Sequence, residues 1–597
     1  MLNEEQQKCV EASSGNALVV AGPGSGKTMT MAYHIAYLVD TLKVSEDRIK
    51  AFTFTNPATL EMNKRIKKVL ERDHKVNISN FHSFCYEWLR FYYKTNYKVL
   101  LDDEKRKIIK KLIEDNKFDI DADYAIREIS RIKNEMKPNK SNISLRMKIA
   151  DLYYKYKAYT KKANKLDFDE MNSMFLYKLT WDKGFRNEIC NLFEHIIVDE
   201  AQDINNVQYK ILKIMSSKYH NLYMVGDPNQ SIYAFRGSDL RILDDFRDTE
   251  GAKVLYLKNN YRSDKKIVEI ANKLIANNTN KFEVGSIPVS ANDGEVVIKR
   301  PYHKLHQSDM VAVTIKELLK LEYTYNDIKI LSRNRLSLRN IELELNKHRI
   351  PNYLHGMRFL EYKEIKLLLN YLEFYLNPND DEALEEIINN PSRGIGNVTV
   401  CEIRLKAKMM NCSMFEACQE LAKTNKKILP FLEVYKDLQK NMNPYISTYY
   451  FIEYIANTYI DLESMTKDPK ELKTKKENIT YFLELAEYEL KTNCDDHLRE
   501  FLNSLYMKDA DTSKEGVVEL MTIHQSKGLE AKIIIIVDLI DKIIPGNRDD
   551  MDIEEERRIF YVGVTRAKEK LYLIAPIAEN INSYTEYPES RFLLEIK

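Results

Sequence analysis

Short apolar runs and longer amphipathic stretches alternate along this chain in two blocks. In the first ~80 residues, Ala17–Val20 and Lys50–Thr53 are brief apolar segments separated by residues at helical spacing, the pattern of a doubly wound parallel sheet. From Asp102 to about Lys165 the character changes. Lys, Glu, Ile and Tyr recur at helical spacing with little glycine, which predicts an inserted helical subdomain. Strand–helix alternation returns with Glu194–Val198 and Asn221–Val225. A second α/β pattern opens near Val254–Leu257 and continues through Asp327–Leu331. It gives way to a second helical block over about Phe359 to Leu505, then resumes at Val517–Thr522, Lys532–Val537 and Lys570–Ile574. The plan is two α/β cores, each carrying a helical insert. The charged run Lys467–Glu477 reads as a solvated face or loop within the second insert.

At 597 residues the chain is too long for one core. Its 44% hydrophobic and 30% charged residues fit a soluble globular protein with charge-rich exposed helices. A net charge of +1 excludes a general positive field, so any nucleic-acid contact must rest on locally concentrated basic residues. The opening MLNEEQQ is acidic and polar, which argues against a secretory signal. The longest apolar run, Ile533–Val537, falls far short of the ~18 residues of a membrane span. Cys9, Cys85, Cys190, Cys401, Cys412, Cys418 and Cys494 form no CxxC pair, so neither a zinc nor an iron–sulfur site is predicted, and dispersed thiols suit a reducing, cytoplasmic setting.

The chemistry starts at AGPGSGKT, residues Ala21, Gly22, Pro23, Gly24, Ser25, Gly26, Lys27 and Thr28. An apolar run precedes it and a helical pattern follows, the context of a phosphate-binding loop. Glycines let backbone N–H groups turn in around phosphates, Lys27 places a charge on the β- and γ-phosphates, and Thr28 is a Mg²⁺ ligand. A glycine-rich turn between strand and helix has no need of Lys-Thr at its end. HIIVDEAQD, at His195–Asp203, is an apolar strand ending in acids. Asp199 suits a Mg²⁺ ligand acting through water, and Glu200 suits the base that polarises an attacking water. The long separation of Lys27 from Asp199 exceeds what a compact nucleotide-binding domain needs, which again places an insert between them.

Further segments are long and specific: LNEEQQKCV (Leu2–Val10), FTFTNPATLEM (Phe52–Met62), SNFHSFC (Ser79–Cys85) and LDFDEM (Leu166–Met171) in the first half, then VGDPNQSIYAFRG (Val225–Gly237) and NNYRS (Asn259–Ser263). RFLEYKEIK (Arg358–Lys366), NPSRGIG (Asn390–Gly396), LMTIHQSKGLEAK (Leu520–Lys532), EEERRIFYVGVTRAKEKL (Glu554–Leu571) and SRFLLEI (Ser590–Ile596) follow. In this order they make nearly the whole chain resemble the UvrD/Rep-type DNA helicases of superfamily 1A.

That resemblance implies an α/β fold of two RecA-like parallel-sheet cores with mainly helical inserts. The first core would comprise 1–84 and 166–253 with the insert 85–165, and the second 254–358 and 515–597 with the insert 359–514. It implies that Gln6 reads adenine, Tyr261 stacks on it and Glu530 contacts the ribose. Gln230 would sense the γ-phosphate or position the attacking water, and Arg262 and Arg566 would act as arginine fingers. Phe54, Tyr233 and Phe235 would meet the bases of single-stranded DNA, with His82, Arg236 and His524 beside the strand. The implied activity is an ATP- and Mg²⁺-dependent helicase moving 3′ to 5′ on single-stranded DNA, as a monomer or weak dimer, with a nuclease or repair factor as possible partner. Alternatives are a motor subunit of a larger nuclease or defence assembly, or a translocase that strips proteins from DNA with little unwinding. Three residues depart from the family pattern: Pro57 replaces a basic residue, Phe235 a tryptophan, and Ala531 an aromatic. With SRFLLEI almost at its close, the resemblance leads us to expect neither the C-terminal extension of many relatives nor a fused nuclease.

Overall fold

The apolar runs of the first block are strands. β1 (Ala17–Ala21), β2 (Ile49–Thr53), β3 (Asn77–Asn80), β4 (His195–Val198), β5 (Leu222–Gly226) and β6 (Lys253–Leu257) form one parallel sheet in the order β3-β2-β4-β5-β1-β6. The four central strands are buried along their whole length, which is why they read as continuous apolar runs rather than alternating ones. Successive residues serve opposite faces. Leu18, Phe52, Ile196 and Met224 join one core layer, and Val19, Ala51, Ile197 and Val225 the other. β6 departs from expectation: the run expected to open the second core lies parallel to β1 and closes the first sheet, with Val254 opposite Leu18. An apolar run announces a strand but not its partner.

The computed structural model describes every residue except 1, 94–96, 136–142, 235–236, 280–281, 283–284, 356–358, 443–446, 493–496, 511–515, 547–550 and 581–585. Phe235 and Arg236 therefore lie outside the described residues, as does Cys494.

The first insert consists of helices Asp102–Asp115, Ala122–Lys133 and Ile143–Lys162 around their own core of Ile109, Ile129, Leu152 and Tyr156. Lys133 is buried with its ammonium 2.7 Å from Asp167 and 3.0 Å from Glu170, and the Tyr156 hydroxyl donates to Asp167 at 2.7 Å. A buried charge persists only when paired, so this cluster fixes the insert where LDFDEM leads into the helix Phe168–Trp181.

The remaining strands are β7 (Glu295–Lys299), β8 (Ile328–Ser332), β9 (Asn352–Leu354), β10 (Val518–Thr522), β11 (Ala531–Ile536) and β12 (Ala567–Ile574). The chain divides into two compact units, residues 1–307, 327–334 and 522–597 forming one, and 308–326 and 335–521 the other. The first unit holds the sheet described above and the parallel series β7-β12-β11-β8. In the second unit β9 runs parallel to the start of β10, and helices from Lys363–Leu376 to Leu498–Ala510 enclose a core including Leu368, Phe374, Phe451 and Phe501. The charged run expected to be solvated belongs to the helix Pro469–Thr492. It turns Lys475 inward, where Glu364 meets its ammonium at 2.7 Å. Among the described residues no helix is long and apolar enough to cross a membrane.

Candidate nucleotide and DNA site

Both predicted sites fall in the first unit. β1 ends at Ala21, and the chain turns through Gly22–Gly26 into helix α2 (Lys27–Ala36), which follows helix α1 (Glu4–Val10) in the sequence. Gly24 and Gly26 have φ of +68° and +82°, a region open to glycine at little cost. A Cβ on Gly24 would sit 2.6 Å from that of Arg262, so the segment Asn259–Ser263 rests directly on the loop. The Ser25 hydroxyl closes the turn on the Gly22 carbonyl at 2.7 Å. No side chain caps α2, which leaves its first N–H groups and the positive end of its dipole for an anion. Lys27 and Thr28 open this helix half-buried, while Ala21 and Pro23 are buried behind them.

Gln6 completes a capping box with Asn3 and donates its side-chain amide to the Ser25 carbonyl at 3.1 Å, so α1 is docked on the loop. Two α1 contacts were not foreseen. Asn3 donates to the Tyr261 hydroxyl at 2.6 Å, and Glu5 accepts from the Lys258 backbone N–H at 2.9 Å and the Asn259 amide at 3.2 Å. The Tyr261 N–H donates to the Gly24 carbonyl at 3.0 Å, and its ring stays about half exposed beside the loop.

At the end of β4, the Glu200 N–H donates to Asp199 at 2.9 Å, and Glu200 itself takes φ +51°, uncommon for a non-glycine residue. Burial and the Glu200 charge raise the Asp199 carboxyl to about 7, against the pull of Lys27. Burial alone would raise Glu200 too, but Lys27, Lys527, the Gln202 amide and Arg566 hold it down to about 2. Two adjacent buried carboxylates, one of them raised to about 7, suit a divalent cation. The Gln202 carbonyl also accepts from the Asp227 N–H at 2.9 Å, and Asp227 accepts from the Gln230 amide at 2.7 Å.

Gln230 is where the second series of strands reaches the first sheet. Arg566 donates to its side-chain carbonyl at 3.0 Å, and to the carbonyls of Val562 and Leu529 at 3.0 and 3.2 Å. Burial, then repulsion from Arg262, lowers Arg566 to about 9, which leaves it charged at neutral pH. Arg262 pairs with Glu530 at 2.6 Å and donates to the Thr565 carbonyl at 3.2 Å, while Lys568 holds the other Glu530 oxygen at 2.6 Å. Glu530 is thus brought to the site through Arg262.

Among the residues expected to meet DNA, Phe54 stacks on Tyr233 with centroids 5.2 Å apart and planes at 19°, and His524 lies 6.4 Å from Tyr233. The His82 ring lies 5.0 Å from that of Phe168. Four further residues join the cores and were not singled out from sequence. Lys527 reaches Asp203 at 2.5 Å, Arg558 donates to the Ser231 carbonyl at 3.0 Å, and Glu555 accepts from the Ala234 N–H at 3.1 Å. Their signal was available. Asp203, Lys527, Glu555 and Arg558 all lie inside the quoted segments, as charged residues at positions that turn out to be buried or nearly so.

Profiles of known families match in two pieces, the UvrD/REP helicase N-terminal domain over residues 2–250 and the UvrD-like helicase C-terminal domain over 255–576. The chain belongs to the UvrD/Rep helicase family. It is 32% identical over 634 aligned positions to the ATP-dependent DNA helicase PcrA of Staphylococcus aureus (strain Mu50), covering 100% of this chain and 86% of the relative. The same identity and coverage hold for the PcrA of Staphylococcus epidermidis (strain RP62A). With membership shown, the two parallel sheets are the RecA-like cores of this family.

Proposed function

We propose that this protein is an ATP-dependent DNA helicase that translocates 3′ to 5′ on single-stranded DNA. The observation that carries the reading is the pairing of Arg566 with Gln230: a buried cation from one core reaches the phosphate side of the other, so hydrolysis depends on how the cores meet. In this reading the loop Gly22–Thr28 and the N-terminus of α2 hold the triphosphate, with Tyr261 and Gln6 on the base side. Glu200 accepts the proton of the attacking water, Gln230 orients that water, and Arg262 and Arg566 stabilise charge on the transferring phosphoryl. Thr28 and Asp199 would hold Mg²⁺, which supplies charge neutralisation between the phosphates when bound. Phe54 and Tyr233 supply a stacking platform for bases, with His524 at its edge and Phe235, Arg236 and His82 as further contacts along the strand.

The four-part division is retained in this proposal: cores 1–84 with 166–253 and 254–358 with 515–597, inserts 85–165 and 359–514, with β6 placed on the first sheet. Unwinding of duplexes bearing a 3′ or a 5′ single-stranded tail, with DNA-stimulated ATPase recorded alongside, tests the reading. Selective unwinding of the 3′-tailed substrate is expected. ATP turnover indifferent to single-stranded DNA would overturn it.

A further inference from the structure

A single ammonium connects the nucleotide side of the first core to its DNA side. Lys527 lies in the turn after β10, and its side chain is 9% exposed. Its Nζ is 2.5 Å from Asp203 Oδ2, donates to the Gln230 carbonyl at 2.8 Å, and stands 5.0 Å above the Tyr233 ring. Each contact has a different neighbour. Asp203 ends the short turn that begins just after Glu200. Gln230 is the residue whose side chain Arg566 holds, so two cations from the second core clasp it, one at the main chain and one at the amide. Tyr233 is the partner of Phe54 in the stacked pair.

The Asp203 side chain is fully buried and its Oδ1 has no hydrogen-bond partner, so Lys527 is the cation in contact with it among the described residues. In this arrangement, loss of the Lys527 ammonium would strand a buried carboxylate, an outcome far more costly than losing an exposed ion pair. Displacing Tyr233, as a base entering the stack would, moves the ring on which the same ammonium rests.

We propose that Lys527 is a positioning residue that couples DNA occupancy at Tyr233 and Phe54 to nucleotide occupancy at Gln230, by pairing with Asp203 across the two cores. The proposal rests on the function given above. In this role Lys527 acts through the three groups it ties together.

The test is the ratio of affinities for a fluorescent oligodeoxythymidine, measured by anisotropy, with and without a non-hydrolysable ATP analogue. That ratio is the coupling between the two sites, and by linkage it is the same read from either ligand. The wild-type chain is expected to show a ratio of about tenfold in either direction. Lys527→Gln should bring it close to one, Asp203→Asn should do the same, and the double variant should lose no more than either single. Lys527→Arg should keep most of the coupling. A Lys527→Gln ratio equal to wild type, or a double variant whose loss is the product of the singles, overturns the latch, as does a wild-type ratio of one. If Lys527→Gln does not fold, Asp203→Asn and Lys527→Arg decide: loss in the first with retention in the second supports the latch, and any other pattern refutes it. Wild-type ATPase that ignores single-stranded DNA would count against the motor itself, a separate failure.

Discussion

Lys50 is a buried cation with no carboxylate in contact among the described residues, and its titration should appear in the stability of the first core. It lies on β2 with no exposed surface, its ammonium 2.6 Å from both the Asn77 and Ser79 side-chain oxygens and 4.7 Å from the Phe52 and Phe84 ring centres. Burial lowers its pKa from 10.5 to about 7, only partly opposed by Glu87 and Cys85. Below pH 7 the folded and unfolded chains both carry the charge, and the full cost of burying it stands. Between pH 7 and 10.5 the unfolded chain binds a proton that the folded chain lacks, so stability rises with pH, by about 1.4 kcal/mol per unit. The full cost is then about 4–5 kcal/mol at pH 7, falling by about 3 kcal/mol by pH 9. Lys50→Met removes the titrating group and keeps an unbranched chain against the two rings, while losing two hydrogen bonds worth about 1 kcal/mol each. The variant should therefore be more stable than wild type by about 2–3 kcal/mol at pH 7 and nearly equal to it at pH 9. Thermal unfolding of both chains, followed by near-ultraviolet circular dichroism at pH 7, 8 and 9, reads the difference directly. A gap that stays constant across that range would refute the lowered pKa.

Arg566→Ala should reduce DNA-stimulated turnover at saturating ATP by about 10³-fold or more while a fluorescent nucleotide still binds; a loss below about tenfold would exclude it as an arginine finger. Arg566→Lys should not restore the rate, because a point charge cannot keep the Val562, Leu529 and Gln230 carbonyls together. Phe54→Ala should weaken binding of single-stranded DNA by about 1–3 kcal/mol, and an unchanged affinity by anisotropy would remove Phe54 from the path. At Glu200 the left-handed backbone favours glycine, so Glu200→Gly should be about 1 kcal/mol more stable than Glu200→Ala with both inactive. Equal melting temperatures, or a higher one for alanine, would show that the backbone there holds no strain.

What could be read from the chain followed how local each signal was. The loop Ala21–Thr28 and the DE pair at Asp199–Glu200 were legible because strand, turn and chemistry occupy consecutive residues. The buried strands were legible because both faces are covered. β3 and β7 were missed for the opposite reason: each is exposed at its first residue and mostly half-buried after it, so neither leaves an apolar run. Lys475 was misjudged because its buried partner lies 111 positions away, and no charge pattern along one helix reveals that.

The candidate site divides along the same line. Gly24, Gln230, Arg262 and Lys527 each stand in a segment that was singled out, yet their contacts join residues separated by up to several hundred positions. Parallel sheets explain why such distant segments converge. The turns after β1, β4, β5 and β6 all leave the carboxyl end of the first sheet, which brings the glycine-rich loop, Asp203, Gln230 and Arg262 to one side of it. The turn after β10 and the start of β12 then bring Lys527 and Arg566 against Gln230. Motifs give the parts, but pairing Lys527 with Asp203 rather than with solvent follows only from that shared end of the sheet and from the burial of both side chains. The chemistry of this site is written locally in the sequence; its dependence on how the two cores meet is a property of the fold.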